Sequence, residues 1–395
     1  MSGTLNNAHI NVSFALNQHY RVMARLQEQA YTGSRINRVS DDSFVAYRVL
    51  GLNSQQKLLG NYMNNISEAI YVLDDSTVQI QNMVEAIRDT KSGLTQILSG
   101  TYTEDNRETF AEQINETLEQ MVSLANTKHV GQYIFGGCST STAPYAVQRT
   151  NGEITSVTYQ GSFQQRNIEI APGVQSNAYH IGEDIFSSDN RSTPVFVDNT
   201  GAAVGSGTSN VKGDVWLTVT DDGGGSYDLS IDDGASTVNV ATAPDITDIA
   251  VTTSSGQVLY VDGTNISDTG VDMVTVPGTY NIFDTLISIR DLLRNERGLS
   301  TTQLSSCRNK LVDALEEVRT LLVEKETFIG AKIEFVNDLK NSLDDIKFSA
   351  VDEAAILQEA DIAQLAIDLS RREVLYQMSL SVAGRLMSMS LLDFI

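Results

Sequence analysis

The sequence predicts an α+β protein: a long antiparallel α-helical coiled-coil or bundle rod built from both chain ends, with a β-rich domain inserted at its distal end. Three observations carry this. All five prolines of the 395-residue chain (Pro144, Pro172, Pro194, Pro244, Pro277) lie in its middle, which leaves both flanks free of the commonest helix breaker. The flanks repeat apolar residues at alternating steps of three and four, the pattern of a helix seam. The middle alternates short apolar runs with Asp, Gly, Ser and Asn clusters, the pattern of strands and turns.

These shifts divide the chain into an N-terminal assembly helix (1–40), a helical half-rod (41–137), a β-rich outward insert (138–282), a second half-rod (283–352) and a C-terminal assembly helix (353–395). The first helix carries the stripe Val12, Leu16, Met23, Leu26. Gly33 ends it by entering the left-handed region, and Ser40, Asp41 or Asp42 caps the next helix. That helix has the seam Met63, Ile66, Ile70, Leu73, Thr77, Ile80, Val84, Ile87, Lys91, Leu94, Leu98. Its lysine is compatible with a bundle edge, where a long basic side chain snorkels to water. Phe110, Ile114, Met121 and Leu124 mark a third helix.

In the insert, Val215–Val219 and Val258–Val261 read as strands, with Trp216 in the core of the β domain. The insert holds 17 acidic and 4 basic residues, so it carries −13 of the chain's −23, and it holds more than half of the 28 glycines. Its Asp/Gly clusters at 221–228 and 232–234 lack calcium-loop spacing and read as turns. The C-terminal arm resumes the seam with Leu304, Arg308, Leu311, Leu315, Val318, Leu322, Lys325, Ile329, Lys332, Val336, Leu339, Leu343 and Ile346. A last stripe runs through Leu365, Leu369, Tyr376, Leu380, Met387 and Leu391. Each terminal helix has one apolar stripe to set against the entropy of ordering. Both ends are therefore expected to be mobile in the monomer and to order when copies pack through those stripes.

The composition argues against several functions. A charge of −23 repels phosphate backbones and anionic lipid surfaces, so neither nucleic acid nor membrane is an expected partner. The two cysteines, Cys138 and Cys307, read as free thiols. The start lacks the basic-then-apolar pattern of a Sec signal, and Gln377, Arg385 and serines interrupt the most apolar stretch, Val374–Leu392. The four histidines show no paired spacing, and no nucleophile elbow, phosphate loop or dinucleotide fingerprint occurs. No catalytic residue, cofactor or metal is expected.

Three motifs carry a resemblance to a known family. Gly33, Arg35, Ile36 and Asn37 with Ser40, Asp41 and Asp42 resemble the GxRIN…SDD signature of the flagellin superfamily. Tyr133, Ile134, Phe135, Gly136 and Gly137 resemble the YIFGG of its hook–filament junction branch, a segment unusual in filament flagellins. The ending from Ser379 to Ile395 is similar to that branch's SLxVA…SLLDYL close, and Gly330-Ala331-Lys332 matches its GAR position with Lys for Arg. Ser43 stands where proline is common, and Cys138 where a small hydroxyl residue is usual; a buried thiol would be tolerated there.

The resemblance implies a secreted structural adaptor of the bacterial flagellum that leaves the cell by type III export, without a cleaved signal peptide. Its implied partners are further copies of itself in a ring, the preceding hook-associated junction protein, flagellin and a flagellar export chaperone. Two alternatives remain at this point: a filament-forming flagellin, and an enzyme or adhesin displayed by the insert.

Overall fold

The structure, a computed structural model, describes residues 2–97, 103–197 and 199–392, and the side-chain surroundings of all of these except 2–9 and 386–392. Its helices are α1 (Ser2–Thr32), α2 (Ser43–Ile97), α3 (Glu104–Ala125), α4 (Gly182–Phe186), α5 (Ile282–Arg294), α6 (Thr301–Gln358) and α7 (Ile362–Leu392). The strands are β1 (Lys128–His129), β2 (Gln132–Tyr133), β3 (Tyr145–Thr150), β4 (Glu153–Tyr159), β5 (Arg166–Ala171), β6 (Val174–Tyr179), β7 (Val195–Val197), β8 (Ala203–Val204), β9 (Gly213–Asp221), β10 (Tyr227–Ser230), β11 (Val238–Asn239), β12 (Ile249–Thr252), β13 (Val258–Asp262) and β14 (Gly270–Val276). The expected mixture of long helices and short strands is present, and both strand runs read from the sequence fall in β9 and β13.

The chain forms two compact units, one from residues 1–64 with 339–395 and the other from residues 65–338. In the first, α1 packs along α7. In the second, α3 packs on α5, and the polar pairs Gln81–Glu326 and Lys91–Glu316, both 2.7 Å, show α2 and α6 running antiparallel. All strand pairings are antiparallel. Strands β11-β10-β9-β14-β7 form a five-stranded sheet and β12-β13-β8 a three-stranded one, and the pairs β1-β2, β3-β4 and β5-β6 are hairpins.

Two hydrophobic cores lie in the 65–338 unit. One joins α2, α3, α5 and α6 with Phe135, Tyr145, Tyr179 and Phe186; the other closes around Leu217, Leu229, Val251, Leu259 and Val274. Strand β14 serves both, because successive side chains leave a strand on opposite faces: Met273 enters the first core, Val274 and Val276 the second.

The seam of α2 differs from the expected one. Ile66, Leu73, Ile80, Ile87 and Leu94 are buried as expected, but Ala69, Ser76, Met83 and Thr90 occupy the intervening buried positions. Ile70, Thr77, Val84 and Lys91, one residue further on, are only half-buried, and Leu98 lies outside the described residues. Small side chains let neighbouring backbones approach, and Ser76 satisfies its hydroxyl on the Val72 carbonyl at 2.8 Å, so polarity at this position carries little cost. On α6 the seam holds through Leu343, whereas Ile346 is exposed and Ala350 and Ala354 are buried in its stead. Trp216 is half-buried beside the first core rather than inside the second.

Candidate assembly site

The 33–42 turn is built from local hydrogen bonds and one distant contact. Gly33 leaves α1 at φ +68°, and no atom lies within 4 Å of where a Cβ would stand, so the requirement there is conformational. The next residues pair with the α6–α7 connection: the Arg35 amide donates to the Gln358 carbonyl at 2.6 Å, and the Ala360 amide to the Gly33 carbonyl at 3.0 Å. Asp41 Oδ2 accepts from the amides of Asn37 (3.1 Å) and Arg38 (2.9 Å) and so closes the turn. Asn37 Nδ2 donates to the Ser34 carbonyl at 3.2 Å.

Of the three residues offered as caps, Asp42 takes the role, accepting from the Val45 amide at 3.1 Å, and its carboxylate also meets Arg35 at 3.6 Å. Ser40 is exposed and Ile36 half-buried. The motif therefore ties the first turn of the chain to its last.

The 131–137 segment is a core element. After the β1-β2 hairpin, Ile134 and Phe135 are fully buried. Residues 134–137 then run beside 180–182: the His180 amide donates to Ile134 (3.0 Å), Gly137 to His180 (2.9 Å) and Gly182 to Phe135 (2.9 Å). Phe135 meets Phe186 edge-on at 4.9 Å, and Tyr133 lies half-buried beneath Lys128. A Cβ on Gly136 would fall 2.3 Å from the Ser139 carbonyl oxygen, and one on Gly137, which also has φ +60°, 2.4 Å from that of Ser162. Both glycines are sterically required, and neither faces a cleft. Cys138, where a buried thiol would have been tolerated, is exposed; Cys307 is buried, and both are free.

The residues of the two terminal stripes are covered to different degrees. Leu26 and Leu365 are buried, and Val12, Leu16, Met23, Leu369 and Tyr376 are half-buried. Leu380 is exposed, and the side chains of Met387 and Leu391 lie outside the described residues. The exposed apolar surface is a different set: Ile10, Phe14 and Tyr20 on α1, and Ile367, Val374, Met378 and Val382 on α7. A second, offset stripe (Ile10 to Phe14, Val374 to Met378 to Val382) was the sequence signal for it.

Little else on the described surface suggests chemistry. His129 Nδ1 pairs with Asp75 at 2.6 Å. His180 is buried, and burial with Lys332 and Lys325 nearby lowers its pKa to about 3. Among the described residues no group of three or more His, Cys, Asp or Glu side chains is arranged to hold a metal ion, and no helix is long and apolar enough to cross a membrane. In the Asp/Gly loops the carboxylates serve the turns. Asp222 Oδ1 accepts from Gly224 (2.7 Å) and Ser226 (2.9 Å), and Asp232 accepts from Ser236 (2.7 Å) and Ser254 (3.0 Å). These amide donors hold both carboxyls below the usual range, Asp232 at about 2.

Residues 4–140 match the family described as the bacterial flagellin N-terminal helical region. The chain is 26% identical over 162 residues to flagellar hook-associated protein 3 of Escherichia coli, a match covering 41% of this chain and 49% of that protein. It is 27% identical over 165 residues to the Salmonella typhimurium protein of the same name, covering 42% and 50%. The chain thus spans about half the length of the curated relatives it matches. Its fold is similar to the crystal structure of flagellar hook-associated protein 3 from Legionella pneumophila, with TM-score 0.53, 17% identity, and 78% of this chain and 98% of that one covered. A flagellar junction protein from the same organism gives TM-score 0.50, 18% identity, and coverage of 78% and 100%.

Proposed function

We propose that this chain, whose residues 4–140 match the bacterial flagellin N-terminal helical region and which is similar to flagellar hook-associated protein 3, is a flagellin-superfamily structural adaptor at a bacterial flagellar hook–filament junction. The observation that carries the reading is the apolar exterior of the α1–α7 pair. Phe14, Tyr20, Ile367, Val374 and Met378 remain exposed after the two helices have packed on each other. An apolar face of this kind favours association over solvation.

In this reading the terminal helices (1–40 and 353–395) are mobile in the monomer. They order as several copies pack into a ring, with Val12, Leu16, Met23, Leu26, Leu365, Leu369, Tyr376, Leu380, Met387 and Leu391 as the assembly interface. The half-rods 41–137 and 283–352 form a rod, and the acidic 138–282 insert points outward into the medium. One axial face meets the preceding hook-associated junction protein and the other the first flagellin subunits. A flagellar export chaperone holds the chain before type III export, and the site is extracellular. Neither nucleic acid nor membrane takes part, and no enzymatic chemistry is assigned. The motif turn at 33–42 supports this role by joining the two chain ends through the Ser34–Glu359 bridge.

Labelling the protein on intact flagella tests the proposal. A single band at the hook–filament boundary is the expected result, and label along the whole filament would establish a filament-forming flagellin instead. A deletion strain should keep its hooks and release flagellin monomer into the medium.

A further inference from the structure

Two glycines of α2, Gly51 and Gly60, stand in regular helix with no neighbouring atom within 4 Å of where a Cβ would be. Gly93 of the same helix shows what a packing requirement looks like, since a Cβ there would fall 2.5 Å from the Phe110 ring. Glycine is the poorest helix former after proline, so a bare one inside a helix weakens it without serving the chain's own packing. Of the two, Gly51 lines a cavity. It is an open notch of about 520 Å³ within residues 1–64 and 339–395, walled by Tyr47, Leu50 and Ser54 together with the Arg48–Glu353 ion pair. Tyr47 and Leu50 are 79% and 67% exposed, so the apolar part of the wall faces water.

Charge selects what covers such a notch. The segments that carry it, 43–58 and 344–359, hold Asp344, Asp345, Asp352, Glu353 and Glu359 against only Arg48, Lys57 and Lys347. Helix α1 has the opposite balance: it holds Arg21 and Arg25 and no carboxylate before Glu28, and it presents Ile10 and Phe14 to water one turn apart. Helix α7 also exposes apolar residues, but it interleaves Asp368 and Glu373 with Arg371 and Arg372. Complementary charge therefore favours α1 over α7 as the surface that meets the notch.

We propose that α1 of a second copy of this chain docks on the notch, with its Phe14 seated over Gly51. Gly51 is then kept small for the incoming ring, which accounts for a glycine that the chain's own packing does not require. The contact joins two different surfaces, so each bound copy still offers one free Phe14 and one free notch. Repetition therefore extends a ring or a helix instead of closing a symmetric dimer. This contact rests on the ring packing of the adaptor reading, and it adds which face of one copy meets which face of the next.

Directed cross-linking of the full-length protein tests it, in a Cys138→Ser background because Cys138 is exposed while Cys307 is buried. Gln18→Cys, one turn from Phe14, and Ser54→Cys, in the notch wall, are made separately, mixed at high concentration and oxidised. Disulfide-linked pairs should form in the mixture at about ten times the yield of either variant alone. Adding Phe14→Ser to the first chain, or Gly51→Leu to the second, should lower that yield about tenfold. Gly51→Ala gives a further readout: the monomer should melt at a higher temperature, since alanine is the better helix former, while the yield falls. A mixture that yields no more than the single variants overturns the proposal, and so does a yield that Gly51→Leu and Gly51→Ala both leave unchanged. Failure of the adaptor reading looks different. A band at the hook–filament boundary without cross-links overturns this contact alone, whereas cross-links with label along the whole filament support the contact and overturn the adaptor reading.

Discussion

The two units of this chain treat apolar surface in opposite ways. Residues 65–338 enclose Leu73, Ile80, Phe135, Phe186 and Phe283 completely and close a second core within their sheets. Residues 1–64 with 339–395 bury Leu26, Val49, Leu343 and Leu365, yet leave Phe14, Phe44, Tyr47, Phe348 and Ile356 exposed. Layered helices and sheets cover one another on several sides, whereas a few helical segments without a sheet cover only the seams between them. The contrast teaches that residues 65–338 are stabilised mainly by their own interior, whereas residues 1–64 with 339–395 keep more of their large apolar side chains against water.

The sharpest way to break that contrast is to truncate one aromatic in each unit. Phe135→Ala should cost about 3–5 kcal/mol in denaturant unfolding, the usual loss for a fully buried phenylalanine. Phe14→Ala should stay within about 0.5 kcal/mol in the monomer. Similar losses at the two sites would abolish the distinction.

Acidity tests the closed unit next, and two buried groups act there in opposite senses. Asp214 is raised from 3.8 to about 7, so the folded unit keeps a proton that the unfolded chain has released, and its contribution is lost as pH rises from about 4 to about 7. The groups facing it are Asp284 and Ser288 of α5, Glu317 and Cys307 of α6, and Tyr280. His180 is lowered from 6.5 to about 3, so its contribution is lost as pH falls through that range. Between about pH 4 and 6.5 the two slopes, each worth a few kcal/mol, oppose one another. Asp284, raised to about 6 by burial and Glu183, adds to the Asp214 slope, so relative to wild type His180→Gln should gain more stability on acidification and Asp214→Asn less, as read from melting temperatures across that range. Identical pH profiles for the two variants would show that neither group titrates as its burial requires.

Smaller effects probe the motif turn of the open unit. Gly33→Ala should cost about 1–2 kcal/mol, because an L side chain at φ +68° is strained whatever the space around it. Asp42→Ala should cost about 1 kcal/mol through loss of the cap on α2, and Asp42→Asn should restore most of it. Local hydrogen exchange at the start of α2 measures both. The smallest change in stability and the largest in association should come from Phe14→Ser combined with Met378→Ser. The monomer should melt as before while its sedimentation at high concentration shows weaker self-association; unchanged association would detach the exposed face from assembly.

Much of the fold was legible in the sequence. The helical arms, strands β9 and β13, the turn at Gly33 and a cap among Ser40, Asp41 and Asp42 all follow from short-range signals. These are proline placement, apolar period, left-handed backbone preference and a carboxylate beside free amide groups. The candidate site was less legible. Of the stripe expected to meet other copies, Leu26 and Leu365 are buried and Leu380 is exposed, and further exposed apolar residues belong to an offset stripe that hydrophobicity alone does not rank lower. Nor did the notch at Gly51 have a sequence signature, since Tyr47 and Glu353 reach it from opposite arms of the chain.

By itself, then, the sequence determined which segments are helix and which are strand, where the first helix turns, and which family the arms resemble, because each of these rests on residues close together in the chain. Tertiary structure alone decided that Ala69, Ser76, Met83 and Thr90 face inward rather than Ile70, Thr77, Val84 and Lys91. It also decided that Gly136 and Gly137 admit no side chain, and that residues 33–35 bond to residues 358–360. Those outcomes depend on how closely a second segment approaches, and the distance of approach is fixed only when both segments pack.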